Sequence, residues 1–211
     1  MRERFGFTLV ELLVVVSVIG VLSAIAIPNF LQAQTQAKIS ASYADMHALG
    51  IALEMYALDH NGYPLQAGVL YSGEVIYPTE NPTDKANATK FIPYTLTTPV
   101  AYITSLPEDR FFRMPQDETA TPELRYYFYS NFPQSVEWVK RNSGGTVPPF
   151  LSFNHKYWGD WTLLASGPDG DRKDIAGLMG DAIRDGFYDP SNGLISNGDI
   201  LHSQKIPVAA P

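Results

Sequence analysis

Residues 7–27 read FTLVELLVVVSVIGVLSAIAI, twenty-one residues in which Glu11 is the single charged side chain. A helix of this length and composition can cross a bilayer, and Arg2 and Arg4 ahead of it favour a cytoplasmic N-terminus. The alternative is an ordinary secretory signal peptide cut after Ala24-Ile25-Ala26. The apolar region of such peptides is usually only about 7–15 residues long. A carboxylate in hydrocarbon costs about 2.5–3.5 kcal/mol, so Glu11 is expected to have a partner and a function there.

The length of the chain allows one sizeable domain, or one domain plus an appendage. The 211 residues carry a net charge of −7 and include no cysteine. Disulfides, thiolate metal sites and cysteine nucleophiles are therefore excluded. The acidic balance disfavours nucleic acid as a partner. The four histidines form no H-E-x-x-H pattern and the sequence has no phosphate-binding loop, so we expect that the protein is not an enzyme.

An amphipathic segment, residues 28–62, continues the helix beyond the apolar run. Pro28 is expected to kink or loosen the helix where the two segments meet. The polar turn Asn61-Gly62, followed by Pro64, predicts the end of the helix. Apolar residues at three- and four-residue steps mark the stripe that should pack on a globular domain. They are Ile39, Tyr43, Met46, Leu49, Leu53 and Tyr56.

Residues 63–211 are expected to form a loop-rich head that is mainly β, because they hold fifteen of the sixteen prolines and no long helical period. The predicted class is therefore α+β, with a long N-terminal helix packed on a small antiparallel β head. Strands are predicted at 124–129, 136–139 and 161–165, and a terminal hairpin at 194–201. His202 is expected at the surface near a turn.

The string Gly6-Phe7-Thr8-Leu9-Val10-Glu11 within residues 1–35 resembles the prepilin signature of type IV pilins and type II secretion pseudopilins. The resemblance implies a pilin-like fold and a leader, residues 1–6, that prepilin peptidase removes between Gly6 and Phe7. It also implies N-methylation of Phe7. Glu11 would then pair with the Phe7 amine of a neighbouring subunit, an attraction that offsets the burial of both charges.

The same resemblance implies a function. The chain would be a structural subunit of a type II secretion pseudopilus, with a type IV pilin of an adhesion or motility filament as the alternative. A membrane-anchored periplasmic enzyme or binding protein is a more remote alternative. The implied partners are further copies of the chain, the prepilin peptidase/methyltransferase and an inner-membrane assembly platform. The precursor would lie in the inner membrane, and the filament in the periplasm or outside the cell.

The C-terminal region is rich in Asp and Gly, and residues 166–175 are its densest stretch. Short carboxylates on glycine-rich turns suit Ca²⁺, which takes six to eight oxygen ligands. The stretch resembles the calcium loop of type II secretion major pseudopilins. That resemblance implies side-chain ligands from Asp169 and Asp174, carbonyl ligands from Ser166 and Arg172, and an optional contribution from Asp171. The alternative is that these residues form only solvent-exposed turns.

Overall fold

The structure, a computed structural model, describes residues 8–69, 75–76, 89–113, 125–142, 145–170, 187–188 and 198–206. The chain divides into two compact units, one ending at Ala37 and the other beginning at Lys38. Gly6, Phe7, Asp171 and Asp174 lie outside the described residues.

Helix α1 runs from Leu9 to His60 and includes Pro28 in its interior. Proline lacks the N–H that would bond to the carbonyl four residues earlier, so the carbonyl of Ala24 loses its usual intrahelical partner. The helix ends where the sequence predicts. Asn61 follows in the left-handed region with φ of 53°, and Gly62 comes next.

The predicted antiparallel β structure is present in the head. In the first sheet, β1 (Ala67–Val69) lies between β2 (Val75–Ile76) and β3 (Thr89–Phe91). Both pairings are antiparallel, and Gly68 lies opposite Ile76 on one side and Lys90 on the other. A 3₁₀ turn at Tyr94–Leu96 follows β3.

The second sheet contains β4 (Phe128–Asn131), β5 (Trp161–Ala165) and β6 (Ile200–Ser203). Strand β5 is central and antiparallel to both neighbours; its Thr162 lies opposite Ser130 and Ser203. All five β5 residues are buried. The prediction of a strand at 161–165 is confirmed. The strand predicted at 124–129 begins later, at Phe128, and Leu124 lies outside the described residues.

Two helices in the head correct the expectation that it is mainly β. Helix α2 spans Phe132–Asn142 and α3 spans Pro149–Trp158. The predicted strand at 136–139 is therefore wrong. Val136 and Val139 both pack on a small apolar cluster because residues three apart share one face of a helix. Four residues are too few to separate this spacing from strand alternation.

The larger core of the head lies between α1 and the second sheet. Met46, Leu49 and Leu53 of α1 are fully buried. They belong to one cluster with Tyr129 of β4 and Leu163 of β5. This packing accounts for the amphipathic half of α1, because its apolar stripe covers an apolar sheet face.

Candidate functional site

The first turn of α1 is closed by reciprocal hydrogen bonds between Thr8 and Glu11. The amide and the hydroxyl of Thr8 donate to Oε2 of Glu11 at 2.8 and 2.7 Å. The Glu11 amide donates in return to Thr8 Oγ1 at 3.3 Å. This arrangement is a capping box, which satisfies amides that a helix N-terminus otherwise leaves unpaired. Sequence analysis overlooked it, although the spacing Thr-x-x-Glu at positions 8–11 is its usual signal.

The capping box gives Glu11 a partner within its own chain. The carboxylate therefore has an intramolecular role at the helix end, independent of any neighbouring subunit. Gly6 and Phe7, the predicted processing residues, lie outside the described residues. The predicted pairing of Glu11 with a neighbouring Phe7 amine stays a prediction.

The part of α1 in the first unit exposes apolar side chains on every face. From Leu9 to Leu31 the large hydrophobic residues are between 49% and 78% exposed. The helix is long and apolar enough to cross a membrane by length and composition. A helix that is apolar all round is stable when lipid or other helices cover it. Pro28 lies within this exposed stretch.

The part of α1 in the second unit carries the predicted stripe into the core. Ile39, Met46, Leu49 and Leu53 are buried, which confirms four of the six predicted positions. Tyr43 and Tyr56 complete the stripe as partly buried side chains packed against the same cluster.

Polar contacts join the amphipathic half of α1 to the head around the edge of this core. Asp45 accepts hydrogen bonds from Arg110 Nε at 3.0 Å and from the Tyr127 hydroxyl at 3.2 Å. The bond to Asp45 raises the pKa of Arg110, and burial raises the pKa of Tyr127. Glu54 accepts from the Trp161 indole at 2.9 Å and from the Tyr63 hydroxyl. These contacts stabilise the packing of the head against the amphipathic half of α1.

The predicted calcium loop is described only in its first half. Ser166 is fully buried at the end of β5, whereas Asp169 is exposed in the following turn. The amide of Gly170, which has φ of 78°, donates to the carbonyl of Gly167 at 2.9 Å. Asp171 and Asp174 lie outside the described residues. Among the residues the structure describes, no three His, Asp or Glu side chains are grouped in a way that could hold a metal ion.

Asp109 is a structural residue of this region that sequence analysis missed. It is buried, and its Oδ2 accepts from the Ser166 amide at 2.7 Å while Oδ1 accepts from the Phe111 amide at 3.1 Å. It thereby fixes the position from which the Asp- and Gly-rich loop leaves β5. Nothing in the sequence around Asp109 distinguishes it from a surface residue, because Ser166, whose amide it binds, is 57 residues away.

The expectation that His202 lies at the surface is wrong. His202 is in β6, only 6% exposed, and its ring lies 5.3 Å from that of Trp161. Asp199, just before β6, is 2% exposed. Burial, with a smaller effect from His47, lowers the pKa of His202 to about 4. Apolar surroundings disfavour the charged imidazolium, so the ring is neutral at pH 7.

Comparison with known families bears on the N-terminus. Residues 1–27 match the family described as the prokaryotic N-terminal methylation motif. The chain carries a prepilin-type N-terminus. The predicted resemblance of this segment is thereby confirmed.

Similarity to curated proteins is confined to part of the chain. Over 85 residues it is 40% identical to the type II secretion system core protein G of Pseudomonas aeruginosa, covering 40% of this chain and 58% of that relative. Identity to the Escherichia coli protein of the same name is 42% over 62 residues, 29% of this chain and 43% of the relative.

A pilus protein is similar to a comparable degree. Identity to the major component of the type IV wide pilus of Thermus thermophilus is 39% over 72 residues, which is 34% of this chain and 55% of that protein. The chain thus spans about half the length of the curated relatives it matches. No solved structure matches it.

Proposed function

We propose that this protein is a structural subunit of a type II secretion pseudopilus, made as a prepilin and assembled through its N-terminal helix. The carrying observation is the prepilin-type N-terminus leading directly into the exposed apolar part of α1. Relatives named type II secretion system core protein G support the same assignment. The function is structural, and no catalytic residue is assigned.

Two environments would cover the apolar surface of α1 in turn. The precursor would lie in the inner membrane as a single-pass protein with a cytoplasmic N-terminus. After cleavage by the prepilin peptidase/methyltransferase, an inner-membrane assembly platform would transfer it to a periplasmic or extracellular filament. Neighbouring copies would then replace the lipid. Repetition of one head-to-tail contact that does not close on itself produces a helical fibre.

A type IV pilin of an adhesion or motility filament is the second candidate function. The similarity to the Thermus thermophilus wide pilus component favours it, because that match is as strong in identity as those to the core G proteins. A membrane-anchored periplasmic enzyme or binding protein is the remote alternative. It predicts that Glu11 is dispensable, whereas both filament functions require it.

Mass spectrometry of the protein from native membranes or filaments tests the processing step. We expect a mature N-terminus at Phe7 that carries one added methyl group. Gly6→Ala should leave the leader attached. A mature chain that starts at Ile27, or an uncut Met1 in the wild-type protein, would contradict the proposal.

Glu11 can be tested in a way that separates its two roles. Gln at the third helical position still completes a capping box but has no charge, whereas Thr8→Ala removes the cap and keeps the charge. If Glu11 pairs with a neighbouring Phe7 amine, Glu11→Gln should be cleaved normally and yield at least tenfold fewer sheared filaments. Thr8→Ala should assemble at close to the wild-type yield.

The opposite result would show that Glu11 serves only to cap the N-terminus of the helix. Normal filament yield from Glu11→Gln, with loss in Thr8→Ala, would contradict intersubunit pairing. Immunoblots of the membrane fraction control for expression, since both variants should accumulate to the wild-type level.

We also propose that the loop from Ser166 binds Ca²⁺, through the Ser166 and Arg172 carbonyls and the Asp169 and Asp174 carboxylates, with Asp171 as a further donor. Support comes from the all-oxygen donor set, which suits a hard cation. Buried Asp109 holds the start of this loop in place. The ion would link turns that no disulfide can link in a chain without cysteine.

Thermal unfolding of the full chain in neutral detergent tests the calcium site. A ligand that binds only the folded state at 100 times its dissociation constant stabilises by about 2.7 kcal/mol. Ca²⁺ should therefore raise the melting temperature by several degrees relative to EGTA. Asp174→Asn should abolish the increase, and Asp59→Asn, outside the loop, should keep it. An equal increase in the Asp174→Asn variant would contradict the proposed ligands.

A further inference from the structure

Helix α1 exposes a second apolar row on the face that points away from the core of the head. Ile51, Met55 and Leu58 are 51%, 47% and 85% exposed. Ala44 and Ala48, also exposed, continue the row toward the N-terminus. We call these five residues the outer stripe. Single apolar residues on a surface are ordinary, whereas a continuous apolar patch is typical of a contact surface.

The spacing of the outer stripe indicates that a helix covers it. Its five residues follow one another in alternating steps of four and three positions. This is the heptad spacing of about 3.5 residues, which keeps an apolar seam turned toward a partner helix along its length. The two alanines would let the backbone of that partner approach closely, because their side chains are short.

The charge that borders the outer stripe is negative. From residue 39 to residue 60, α1 contains Asp45, Glu54 and Asp59 and no Lys or Arg. Asp45 forms an ion pair with Arg110. Among the described residues, Glu54 and Asp59 accept hydrogen bonds only from uncharged donors, so both remain negatively charged. Two copies of this face would repel each other, which disfavours pairing of the stripe with itself.

Helix α3 carries an exposed surface of the complementary kind. Phe153 and Tyr157 are 40% and 49% exposed, and their ring centroids lie 4.2 Å apart. Lys156 Nζ lies 5.4 Å from the Tyr157 ring centroid. Lys205 Nζ donates to the Lys156 carbonyl at 2.9 Å. Neither α3 nor β6 contains Asp or Glu. The exposed aromatic pair is therefore bordered by positive charge.

We propose that the outer stripe of one copy binds the exposed face of α3 of a neighbouring copy. Leu58 would pack against Phe153 and Tyr157, which removes apolar surface from water, and Lys156 would lie beside Asp59. This contact between heads rests on the proposed filament function and deepens it.

The two surfaces can be used at the same time. They differ from each other and belong to the same compact unit of the chain, Lys38–Pro211. A copy that receives α3 of one neighbour still presents its own α3 to the next copy. A contact of this head-to-tail kind can repeat along a fibre.

Cysteine cross-linking tests the contact, because the chain itself contains no cysteine. Leu58→Cys and Tyr157→Cys would be combined in the full chain, and native membranes and sheared filaments would be treated with a short bismaleimide. We expect a ladder of covalent multimers, since each copy then has one reactive residue on each surface. Each single variant should remain monomeric. A covalent dimer from Leu58→Cys alone would show that the stripe pairs with itself and would overturn the proposal.

Leu58→Cys combined with Glu108→Cys is the matched control. Glu108 is exposed and forms a bridge with Tyr126, ahead of β4. Helix α3 ends near the other end of that strand, because Trp161 lies opposite Asn131. The control pair should give no ladder. A ladder equal to that of the test pair would show unspecific contact between heads and would overturn the proposal.

Charge exchange tests the electrostatic part of the contact in the variant with both cysteines. Lys156→Glu should reduce the cross-linked fraction about fivefold, as for the loss of a surface ion pair. Adding Asp59→Lys should restore most of that fraction, and Lys156→Arg should leave it unchanged. A fraction that does not respond to Lys156→Glu, or that falls further when Asp59→Lys is added, would overturn the pairing of Lys156 with Asp59.

The same samples separate this contact from the filament function. Filaments that form without the ladder would overturn the contact and leave the filament function intact. A ladder without filaments would overturn the filament function and retain the contact as self-association of the head. Absence of both would overturn both.

Discussion

Gly50 of α1 lies in close contact with the second sheet. A methyl group on its Cα would lie 2.9 Å from His202 Nε2 and 3.1 Å from the Trp161 ring. Both rings are buried, so neither can move aside without repacking the core. Glycine at this helical position reflects a packing requirement rather than a need for flexibility.

Gly50→Ala is therefore expected to destabilise the head. Overpacking in a core costs about 1–3 kcal/mol, and the higher helix propensity of Ala offsets about 0.5–1 kcal/mol of it. The net loss should be up to about 2.5 kcal/mol in the free energy of unfolding, with a central value near 1 kcal/mol, measured by urea titration of the full chain in micelles.

Gly20→Ala is the matched control in the same helix. No atom lies within 4 Å of the methyl group that this substitution adds, so the unfolding of the head should not change. A Gly50→Ala variant as stable as wild type would show that His202 and Trp161 can move aside.

At the scale of the element, α1 has two opposite faces in its C-terminal half. Leu53 is fully buried in the core, whereas Leu58 is 85% exposed. Two leucines of the same helix thus have different environments, because residues five positions apart point to different faces of a helix.

Leu53→Ala and Leu58→Ala should differ sharply in stability. Removing a buried leucine side chain costs about 2–5 kcal/mol, while exposed substitutions usually change stability by less than about 0.5 kcal/mol. Urea unfolding followed by the fluorescence of the tryptophans would measure both. A similar loss in the two variants would contradict the packing of α1 on the sheet.

Elements differ in how far the sequence predicts them. Helix α1 is predicted over nearly its whole length, because its first part is an apolar run long enough to span a bilayer and its second part has an apolar stripe sustained over several turns. Strand β5 is predicted from a short apolar run and confirmed. Helix α2 is missed because the alternation at 136–139 is short and fits either structure. The capping box at Thr8 and Glu11 could have been predicted, because the Thr-x-x-Glu spacing that indicates it lies within four consecutive residues.

At the scale of the whole molecule, the stability of the head should depend on pH through His202. Its pKa is about 4 in the folded state, against an ordinary value of 6.5. As the pH falls below 6.5, the unfolded chain takes up the proton and the folded chain does not, so folding weakens until about pH 4. The loss from this residue is about 3 kcal/mol.

Urea unfolding at pH 7.5, 5.5 and 4.5 would measure this dependence. In the His202→Gln variant, the free energy of unfolding should fall by about 3 kcal/mol less between neutral pH and pH 4.5 than in the wild-type protein. The exposed His60→Gln control should show the wild-type fall. An unchanged slope in the His202 variant would show that the buried imidazole is not the titrating group.

The sequence by itself determined the long N-terminal helix, the apolar stripe that enters the core and the prepilin-type signature, because each depends on residues close together in the chain. Only the tertiary structure decided the burial of Asp109 and His202 and the placement of β5 between β4 and β6. These features join residues tens of positions apart, such as Asp109 and Ser166. Local periodicity carries no information about such distant contacts, since they are selected when the whole chain buries its apolar surface together.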